Sequence, residues 1–482
     1  MHIAIVRTDF IKLRGGAERY AVSLAQHWLA QGHRISVVCA KHDAHDAQGM
    51  EVHTVSRPKV LGPFKHRWFA AKAGQCARET GAEAVLCLAR AYPGDVLRLG
   101  DGLHRSWLGA RYPDLGQRKR ALLNPRHREL MKLEQQLFLP GRFQLYVANS
   151  EMIRRTVVHM YGVDPARVVV IPNGVDAERY SLSQRAGRQA FRAAHGISED
   201  APLVLFSGMD FRRKGLEQAV RGFIALAKQR PDARFVCVGP GDTRDAQAAL
   251  AATGLTRQAM WFEQTEAMGP WYGAADVFLL PTMHDPSANA ITECLACGTP
   301  VITSSENGAR QHVRNGSNGY VLHDRNDAAE MAARAMAFIA SPPEPDAVAE
   351  SAGLISAAEN AQRILAALQT AVRMRAEQAT PMRDTSPARE WDLRQPAQLA
   401  AAAGWLGDMH RRGYRGLQAS GTGARFTAEP GEAATDAFKE LRPVADQCAR
   451  QFGRTAGVRA LKAYLWALAR PMSLREALRK LG

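Results

Sequence analysis

Short apolar runs alternate with helix-like stretches along about the first 320 residues of this chain. The runs are rich in valine and isoleucine, and their length and lack of charge predict buried parallel strands. An apolar stripe at helical spacing fills residues 17–29, and Gly32 ends it. Strands that alternate with helices in this way are typical of βαβ units. The predicted strands are residues 3–6, 35–39, 85–88, 145–148, 168–171, 203–207, 235–238, 277–280 and 301–303.

The strands fall into two series, which are separated near residues 172–174, and a proline-rich break at 341–345 ends the second series. At 482 residues the chain is also too long for one ordinary hydrophobic core. We therefore predict an α/β fold of two Rossmann-like, doubly wound domains with a mainly helical C-terminal extension. The predicted boundaries are 1–170 for the N-terminal domain, 171–345 for the C-terminal domain, 346–378 for helices that return toward the N-terminal domain, and 379–482 for the extension.

The hydropathy pattern and the cysteines indicate the cellular compartment of the protein. No run of 18 apolar residues occurs, which predicts that no helix crosses a membrane, and residues 1–6 are too short for a signal peptide. The seven cysteines are an odd number, and Cys39, Cys87 and Cys237 lie within predicted strands. This pattern favours reduced, buried thiols and a cytoplasmic location.

The formal net charge is +16, and residues 1–180 hold 27 lysines and arginines against 16 acidic residues, a balance of +11. Such an excess suits a phosphorylated partner, an anionic membrane surface or nucleic acid, although it could also simply keep the surface soluble. The sequence has no zinc-finger spacing, no aromatic RNA-binding signature and no basic repeat. We therefore expect no nucleic-acid partner.

Two glycine-containing turns follow predicted strands. Gly15 and Gly16 precede the first helix, where backbone N–H groups can approach a phosphate; a tight strand-to-helix turn is the alternative. In the second domain, Arg212, Arg213 and Lys214 follow strand 203–207. Three adjacent cations there predict a clamp for a diphosphate, and a solvated helix start is the alternative interpretation.

The segment 281–301 contains two acidic residues, Asp285 and Glu293, with seven residues between them. Their carboxylates suit bidentate hydrogen bonding, one to a sugar and the other to a ribose. Cys294 and Cys297 in the same segment are at helical spacing among apolar residues, which favours core packing over redox chemistry.

These motifs occur in an order that resembles the retaining GT-B glycosyltransferases of family 4, over roughly residues 1–375. The nearest resemblance is to the lipopolysaccharide core glucosyltransferase I type, which also has an aspartate in a segment like 98–102. The resemblance implies the GT-B fold, in which two Rossmann-like domains face each other across a cleft. The motifs that carry it are Gly15-Gly16-Ala17-Glu18-Arg19, Pro172-Asn173-Gly174-Val175-Asp176, Phe211-Arg212-Arg213-Lys214-Gly215 and the Asp285 to Glu293 segment.

The resemblance also implies roles for individual residues. Arg213 and Lys214 hold the diphosphate and act in catalysis, Glu293 holds the ribose, and Asp285 contacts the transferred sugar. The family usually has glutamate where this chain has Asp285, so reach there is shorter by one methylene. Asp101 and His104 are catalytic candidates that orient the acceptor, although His104 could be an ordinary loop histidine. The implied donor-binding set is Gly15, Gly16, Asn173, Gly174, Arg213, Lys214, Asp285, Asn289 and Glu293.

The implied reaction moves a hexose, glucose, from a UDP-sugar to a lipopolysaccharide core or related glycolipid. It retains the anomeric configuration, because the leaving phosphate helps to deprotonate the acceptor on the same face. No Asp-x-Asp metal signature lies in a suitable loop, so we expect neither a metal nor another cofactor. Two alternatives share the fold: a nucleotide-sugar epimerase, and a catalytically silent protein that binds sugar nucleotides.

Basic and aromatic residues of the first domain suggest where the acceptor lies. Such mixtures suit a phosphorylated glycolipid at an anionic bilayer, so we expect peripheral binding to the inner face of the cytoplasmic membrane. The residues are Phe64, Lys65, Arg67, Trp68, Phe69, Trp107, Arg118, Lys119, Arg120, Arg126 and Arg128.

The extension is predicted to follow a linker at 380–387 and to contain a helix at 458–469. Residues 406–413 are weakly similar to the helix before the catalytic loop of lipopolysaccharide core kinases. The His-x-Asp motif and downstream asparagine of phosphoryl transfer are missing. The extension is therefore either a degenerate kinase-like remnant or a docking surface.

Overall fold

The computed structural model describes residues 1–379, 389–391, 416–417, 424–426 and 428–429. The chain divides into two compact units, Met1–Met374 and Arg375–Gly482. In the second unit, Arg389–Trp391 pairs antiparallel with Ala424–Phe426, and Gly416–Leu417 with Ala428–Glu429. The predicted linker at 380–387, the kinase-like segment at 406–413 and the predicted helix at 458–469 lie outside the described residues.

The first domain of the larger unit is built on a seven-stranded parallel sheet in the order β5-β3-β1-β6-β7-β8-β9. The chain starts at the centre of the sheet, runs to one edge and then fills the other, which is a doubly wound arrangement. A separate short pair joins β2 and β4. The strands are β1 His2–Val6, β2 Asp9–Phe10, β3 Arg34–Cys39, β4 Lys41–His42, β5 Glu51–Thr54, β6 Ala84–Cys87, β7 Val96–Arg98, β8 Leu145–Ala148 and β9 Val168–Val170.

The second domain repeats this plan with a six-stranded parallel sheet in the order β12-β11-β10-β13-β14-β15. Its four central strands are buried on both faces and consist mostly of apolar residues, as parallel strands covered by helices require. The six strands are β10 Leu203–Ser207, β11 Arg234–Val238, β12 Ala259–Phe262, β13 Val277–Leu280, β14 Val301–Ser304 and β15 Gly319–Leu322.

Helices cover both sheets, and several short 3₁₀ turns connect them. No helix within the described part of the chain is long and apolar enough to span a membrane. The helices are α1 Gly16–Ala30, α2 Lys65–Glu79, α3 His104–Arg111, α4 Leu115–Ala121, α5 Pro125–Leu137, α6 Glu151–Tyr161, α7 Arg188–Ala194, α8 Phe211–Lys214, α9 Leu216–Ala227, α10 Arg244–Ala252, α11 Met268–Ala274, α12 Asn289–Ala296, α13 Ala328–Ala340, α14 Pro345–Ser351 and α15 Ala357–Ala379.

The last two helices pack on different domains. Val348 of α14 belongs to the core of the second domain. In contrast, Ile364 and Leu368 of α15 lie in the core cluster formed by the first sheet and α1. The indole Nε1 of Trp28 on α1 donates to the carbonyl oxygen of Ala361 at 3.2 Å. The chain therefore returns to the first domain between α14 and α15, and α15 packs against α1 and the first sheet.

Candidate active site

A cleft of about 690 Å³ lies between the two domains of the larger unit. Most of its walls come from loops and helix starts that follow the carboxyl ends of strands, where doubly wound sheets bind their ligands. Each of the eleven residues predicted for the site lines this one cleft: Gly15, Gly16, Asp101, His104, Asn173, Gly174, Arg213, Lys214, Asp285, Asn289 and Glu293.

The first helix begins at the predicted glycine pair. Gly15 is the residue before α1, and no side chain caps the helix, so the first backbone N–H groups have no intrahelical partner. A Cβ atom on Gly16 would lie 3.6 Å from Nδ2 of Asn289, which shows that the glycine faces the opposite domain. The turn therefore offers N–H donors to a ligand in the cleft.

The predicted cationic clamp lies on α8, a single helical turn. The Asp210 side chain accepts a hydrogen bond from the Arg213 backbone and starts the turn. Gly215 ends it at φ +86°, where a Cβ atom would lie 2.2 Å from the carbonyl oxygen of Pro281. Because Lys214 is only 9% exposed and lines the cleft, α8 is not merely a solvated helix start.

Asp285 holds both cations of α8. Its Oδ2 atom lies 2.8 Å from Nζ of Lys214 and 2.6 Å from Nη1 of Arg213. Burial alone would raise the pKa of this carboxyl, but the two cations outweigh burial and lower the pKa to about 2. Asp285 is therefore ionised, and the two cations share one of its oxygens.

Glu293 lies on α12, and its environment differs from that of Asp285. The hydroxyl of Tyr272 donates a hydrogen bond to its Oε2 atom at 3.1 Å. Burial raises the pKa of Glu293, while Tyr272 and the distant charge of Arg19 act in the opposite direction. The other carboxylate oxygen has no hydrogen bond among the described residues that line the cleft, so it is free to accept one from a ligand.

A short chain of hydrogen bonds connects the two domains near residues 172–174, the crossover at which the polypeptide passes from the first domain to the second. Nη2 of Arg98 donates to Oδ1 of Asn173 at 2.5 Å, and Nδ2 of Asn173 donates to Oδ1 of Asn289 at 2.6 Å. The Arg98 guanidinium also lies over the Tyr20 ring, 3.7 Å from its centroid. Beside it, a Cβ atom on Gly174 would lie 2.5 Å from the carbonyl oxygen of Ser356. The asparagines and the glycine thus hold the crossover, and their contact with a donor stays a prediction.

Asp101 is paired with a buried arginine at the end of β1. Nη1 of Arg7 lies 3.0 Å from Asp101, and Nη2 of Arg7 lies 2.7 Å from Glu18. Burial would raise the pKa of Asp101, but Arg7 and Arg90 lower it. The carboxylate is therefore ionised and positioned at the cleft wall.

His104 is the first residue of α3 and is buried in a stack of rings. Its imidazole stacks on Trp107 and His127, with ring centroids 5.5 and 5.2 Å away. Burial, and then the positive charge of Arg90, lower the pKa of His104 to about 3. At neutral pH this side chain is uncharged, so it can orient an acceptor by hydrogen bonding but is a weak base.

Arg7, Arg98 and Tyr272 belong to the site although the sequence had not singled them out. For Arg7 the available signal was its position directly after the predicted strand 3–6, whereas the strand that ends at Arg98 was itself not predicted. The sequence contained no signal for Tyr272, because α11 and α12 come into contact only in the folded domain.

The cysteine motif packs as predicted. Cys294 and Cys297 are buried in the core of the second domain and are not bonded to each other. Burial raises the pKa of Cys297 to about 12, which leaves an unreactive thiol. Within the described residues, no group of three histidine, cysteine or acidic side chains is arranged to hold a metal ion.

Comparison with known protein families matches each domain separately. Residues 14–179 match the family model of Glycosyltransferase Family 4, and residues 187–355 match that of Glycosyl transferases group 1. A D-inositol 3-phosphate glycosyltransferase of Xylanimonas cellulosilytica is 30% identical over 203 residues, which are 39% of this chain and 48% of that relative. The chain spans about half the length of the curated relatives it matches.

Solved structures share the whole two-domain arrangement. WaaG, a glycosyltransferase involved in lipopolysaccharide biosynthesis, aligns with a TM-score of 0.61 at 20% identity, over 78% of this chain and 99% of WaaG. Anabaena Alr3699/HepE in complex with UDP-glucose aligns with a TM-score of 0.56 at 18% identity, over 77% of this chain and all of that one. Because relatives of more than one specificity match, the lipopolysaccharide core type stays a prediction. The chain has the GT-B fold, with a glycosyltransferase family 4-like domain followed by a glycosyltransferase group 1 domain.

Proposed function

We propose that the protein is a retaining, metal-independent glycosyltransferase that moves glucose from UDP-glucose to a lipopolysaccharide core or related glycolipid. The observation that carries this proposal is the position of Lys214 and Arg213 in the cleft between the domains. They line the same cleft as Glu293 and as the glycine pair at the uncapped start of α1. The volume of about 690 Å³ is ample for a nucleotide sugar.

The donor fits this arrangement in one orientation. The diphosphate takes over the donors of Lys214 and Arg213 that now pair with Asp285, since its two phosphates together carry more negative charge than one carboxylate. Asp285 is then released to accept a hydrogen bond from a hydroxyl of the sugar. The ribose lies at the free oxygen of Glu293.

The chemistry follows from this pose. As the glycosidic bond breaks, negative charge grows on the leaving phosphate, and Lys214 and Arg213 stabilise that charge more than they stabilise the ground state. The leaving phosphate accepts the proton of the acceptor hydroxyl on the same face of the sugar, which retains the anomeric configuration. Asp101 and His104 line the opposite wall and orient the acceptor.

We further propose that the protein works at the inner face of the cytoplasmic membrane. Phe64, directly before α2, and Trp68, on α2, expose 53% and 45% of their surface, which is unusual for two neighbouring large aromatic side chains. The cations of Arg67 and Lys72 lie 5.9 and 5.6 Å from the centroids of these rings. Mixed cationic and aromatic surfaces bind anionic bilayers. Flotation with anionic but not neutral vesicles, lost in high salt, is the expected result; flotation independent of lipid charge would contradict it.

A second acceptor class has support from one relative. The D-inositol 3-phosphate glycosyltransferase that is 30% identical to the chain takes a small phosphorylated cyclitol, according to its name. The second candidate function is therefore transfer of a sugar from the same kind of donor to such a phosphate. Both candidates use the same donor site and differ only in the acceptor.

Incubation of the protein with a panel of sugar nucleotides tests the proposal. Each sugar nucleotide is offered with extracted core glycolipid, with inositol phosphate and without any acceptor. We expect release of nucleoside diphosphate that depends on an acceptor, and the acceptor that works decides between the candidates. An epimerase would convert the donor with no acceptor present. A silent binding protein would bind the donor and release nothing.

A further inference from the structure

Three arginines and three histidines converge on the wall of the cleft in the first domain. They come from the loop after β5, from α2, from the loop after β6 and from α3 and α5. Arg90 and His104 line the cleft itself, together with Trp107. We name this group the His–Arg cluster; its members are Arg57, His66, Arg90, His104, Arg126 and His127.

The histidines are held by hydrogen bonds within the cluster. Nη2 of Arg57 lies 2.7 Å from Nδ1 of His66, and Nε2 of His104 lies 3.1 Å from Nδ1 of His127. The Nε atom of Arg57 is shielded from solvent and has no hydrogen-bond partner. A shielded guanidinium N–H without an acceptor is costly, which points to an acceptor that a ligand supplies.

The positive charge of the cluster is not balanced by carboxylates. Among the described residues, neither Arg57, Arg90 nor Arg126 forms an ion pair within 4.0 Å. Asp9, whose charge acts on Arg57, and Asp101, on which Arg90 acts, are already engaged: Asp9 lies 2.5 Å from Arg14, and Asp101 lies 3.0 Å from Arg7.

Glu134 also lies beside the cluster, but its oxygens are used. They accept hydrogen bonds from the backbone N–H groups of His104 and Arg105, and from the hydroxyl of Tyr161. This carboxylate therefore positions the start of α3 and is not available to neutralise the arginines.

Burial and the unbalanced charge together lower the pKa values of two histidines of the cluster. Burial, and then Arg57 and Arg126, lower the pKa of His66 to about 4. Burial, and then Arg90 and His127, lower the pKa of His104 to about 3. Arg90 and Arg126 act on both rings, so the six side chains share one region of positive potential.

We propose that the His–Arg cluster binds a phosphomonoester carried by the acceptor. The inference rests on the proposed function, because it assigns the acceptor side of the same cleft. Guanidinium N–H groups in a fork match the oxygens of a phosphate, and neutral imidazoles add further donors. The ring of Trp107 offers an apolar face to the sugar that carries the phosphate. The phosphate thus sets which acceptor hydroxyl faces the donor.

Titration of the whole protein with inorganic phosphate tests the site, in the presence of saturating UDP so that the diphosphate clamp is filled. The variants are Arg57→Gln and Arg126→Gln; Arg126 is exposed, so its loss leaves the fold intact. The matched control is Arg34→Gln, which removes one positive charge at the opposite end of the same sheet. We expect each cluster variant to weaken phosphate binding at least about tenfold, while the control stays within about twofold of wild type. Equal binding by wild type and both cluster variants would overturn the proposal.

Two further probes separate the sources of the phosphate. Glucose 6-phosphate should bind more tightly than inorganic phosphate, and Trp107→Ala should remove that advantage. Vesicles with phosphatidic acid should bind the cluster variants as they bind wild type. If the variants lose the vesicles but keep glucose 6-phosphate, the cluster recognises a lipid headgroup and the proposal is wrong.

The same titrations distinguish failure of this inference from failure of the proposed function. If wild type binds UDP but phosphate binding does not depend on the cluster, only the inference fails. If wild type does not bind UDP, the proposed function fails, and a phosphate titration without UDP still decides the role of Arg57 and Arg126.

Discussion

The ammonium group of Lys214 lies 2.8 Å from Oδ2 of Asp285, and the same oxygen lies 2.6 Å from Nη1 of Arg213. One carboxylate oxygen thus pairs with two cations at the carboxyl edge of the second sheet. This arrangement holds both cations in the cleft and pairs them with a carboxylate while no other anion is bound. A diphosphate that displaces Asp285 finds its donors already oriented, which is the preorganisation that catalysis needs.

Substitution of Lys214 should affect catalysis more than binding. Lys214→Ala is expected to lower kcat about 10²–10³-fold, because the charge on the leaving phosphate grows as the bond breaks, and one lost donor costs roughly 2.7–4 kcal/mol. Steady-state kinetics on a variant with a normal melting curve measure this. Arg212→Ala is the matched control, since Arg212 is exposed and does not line the cleft. A folded Lys214→Ala protein with near-normal kcat would contradict the clamp.

Substitution of Glu293 should show the opposite pattern. Glu293→Gln is expected to raise the KM for the donor about tenfold with little change in kcat, because the ribose does not change during the reaction. The glutamine keeps an oxygen that can accept the hydrogen bond of Tyr272. Melting curves serve as the control: a large loss of stability with unchanged KM would show that Glu293 has only a structural role.

Most of the parallel framework could be predicted from the sequence, because buried strands of this kind are continuous apolar runs. Each of the nine predicted strands coincides with a strand of the structure. The strands of the larger unit that were missed lie at a sheet edge or are very short: β5, β12 and β15 are edge strands, and β2, β4 and β7 have only two or three residues. Edge position and short length weaken the pattern that marks a buried strand.

The site could be predicted only where its residues sit in a local motif. Gly15 directly precedes α1, Lys214 lies on the helical turn after β10, and Glu293 lies on the helix after β13. The carboxyl ends of parallel strands meet at one edge of a sheet, which brings such segments together. The pairing of Arg7 with Asp101 joins residues 94 positions apart, and Tyr272 reaches Glu293 from another helix. Such contacts depend on the packing of whole elements, which no spacing along the chain reveals.

The ion pairs of Asp285 should make the fold sensitive to acid. The pKa of Asp285 is lowered from 3.8 in the unfolded chain to about 2 in the folded protein. A lowered pKa contributes stability above pH 3.8, about 2 kcal/mol here, and this contribution is lost as the pH falls to about 2. Urea unfolding at pH 5 and at pH 2.5 should show a larger loss of unfolding free energy for wild type than for Asp285→Asn. An equal loss in both proteins would mean that the pair contributes nothing.

His104 should remain uncharged throughout the physiological range. Its pKa is lowered from 6.5 to about 3, so the unfolded chain takes up a proton before the folded protein does. His104 therefore reduces stability progressively as the pH falls from 6.5 to 3, and His104→Gln should remove that part of the pH dependence. NMR of the imidazole should show no titration between pH 8 and pH 5. A midpoint near 6.5 would indicate that the ring is neither buried nor surrounded by cations.

The most direct test of the account is NMR of the first product formed from UDP-glucose and the acceptor that supports turnover. We expect one equivalent of UDP for each sugar transferred, no turnover without acceptor, and a glycosidic bond with the same anomeric configuration as the donor. An inverted linkage would contradict the retaining mechanism. Conversion of the donor to an epimer in the absence of acceptor would contradict glycosyl transfer itself.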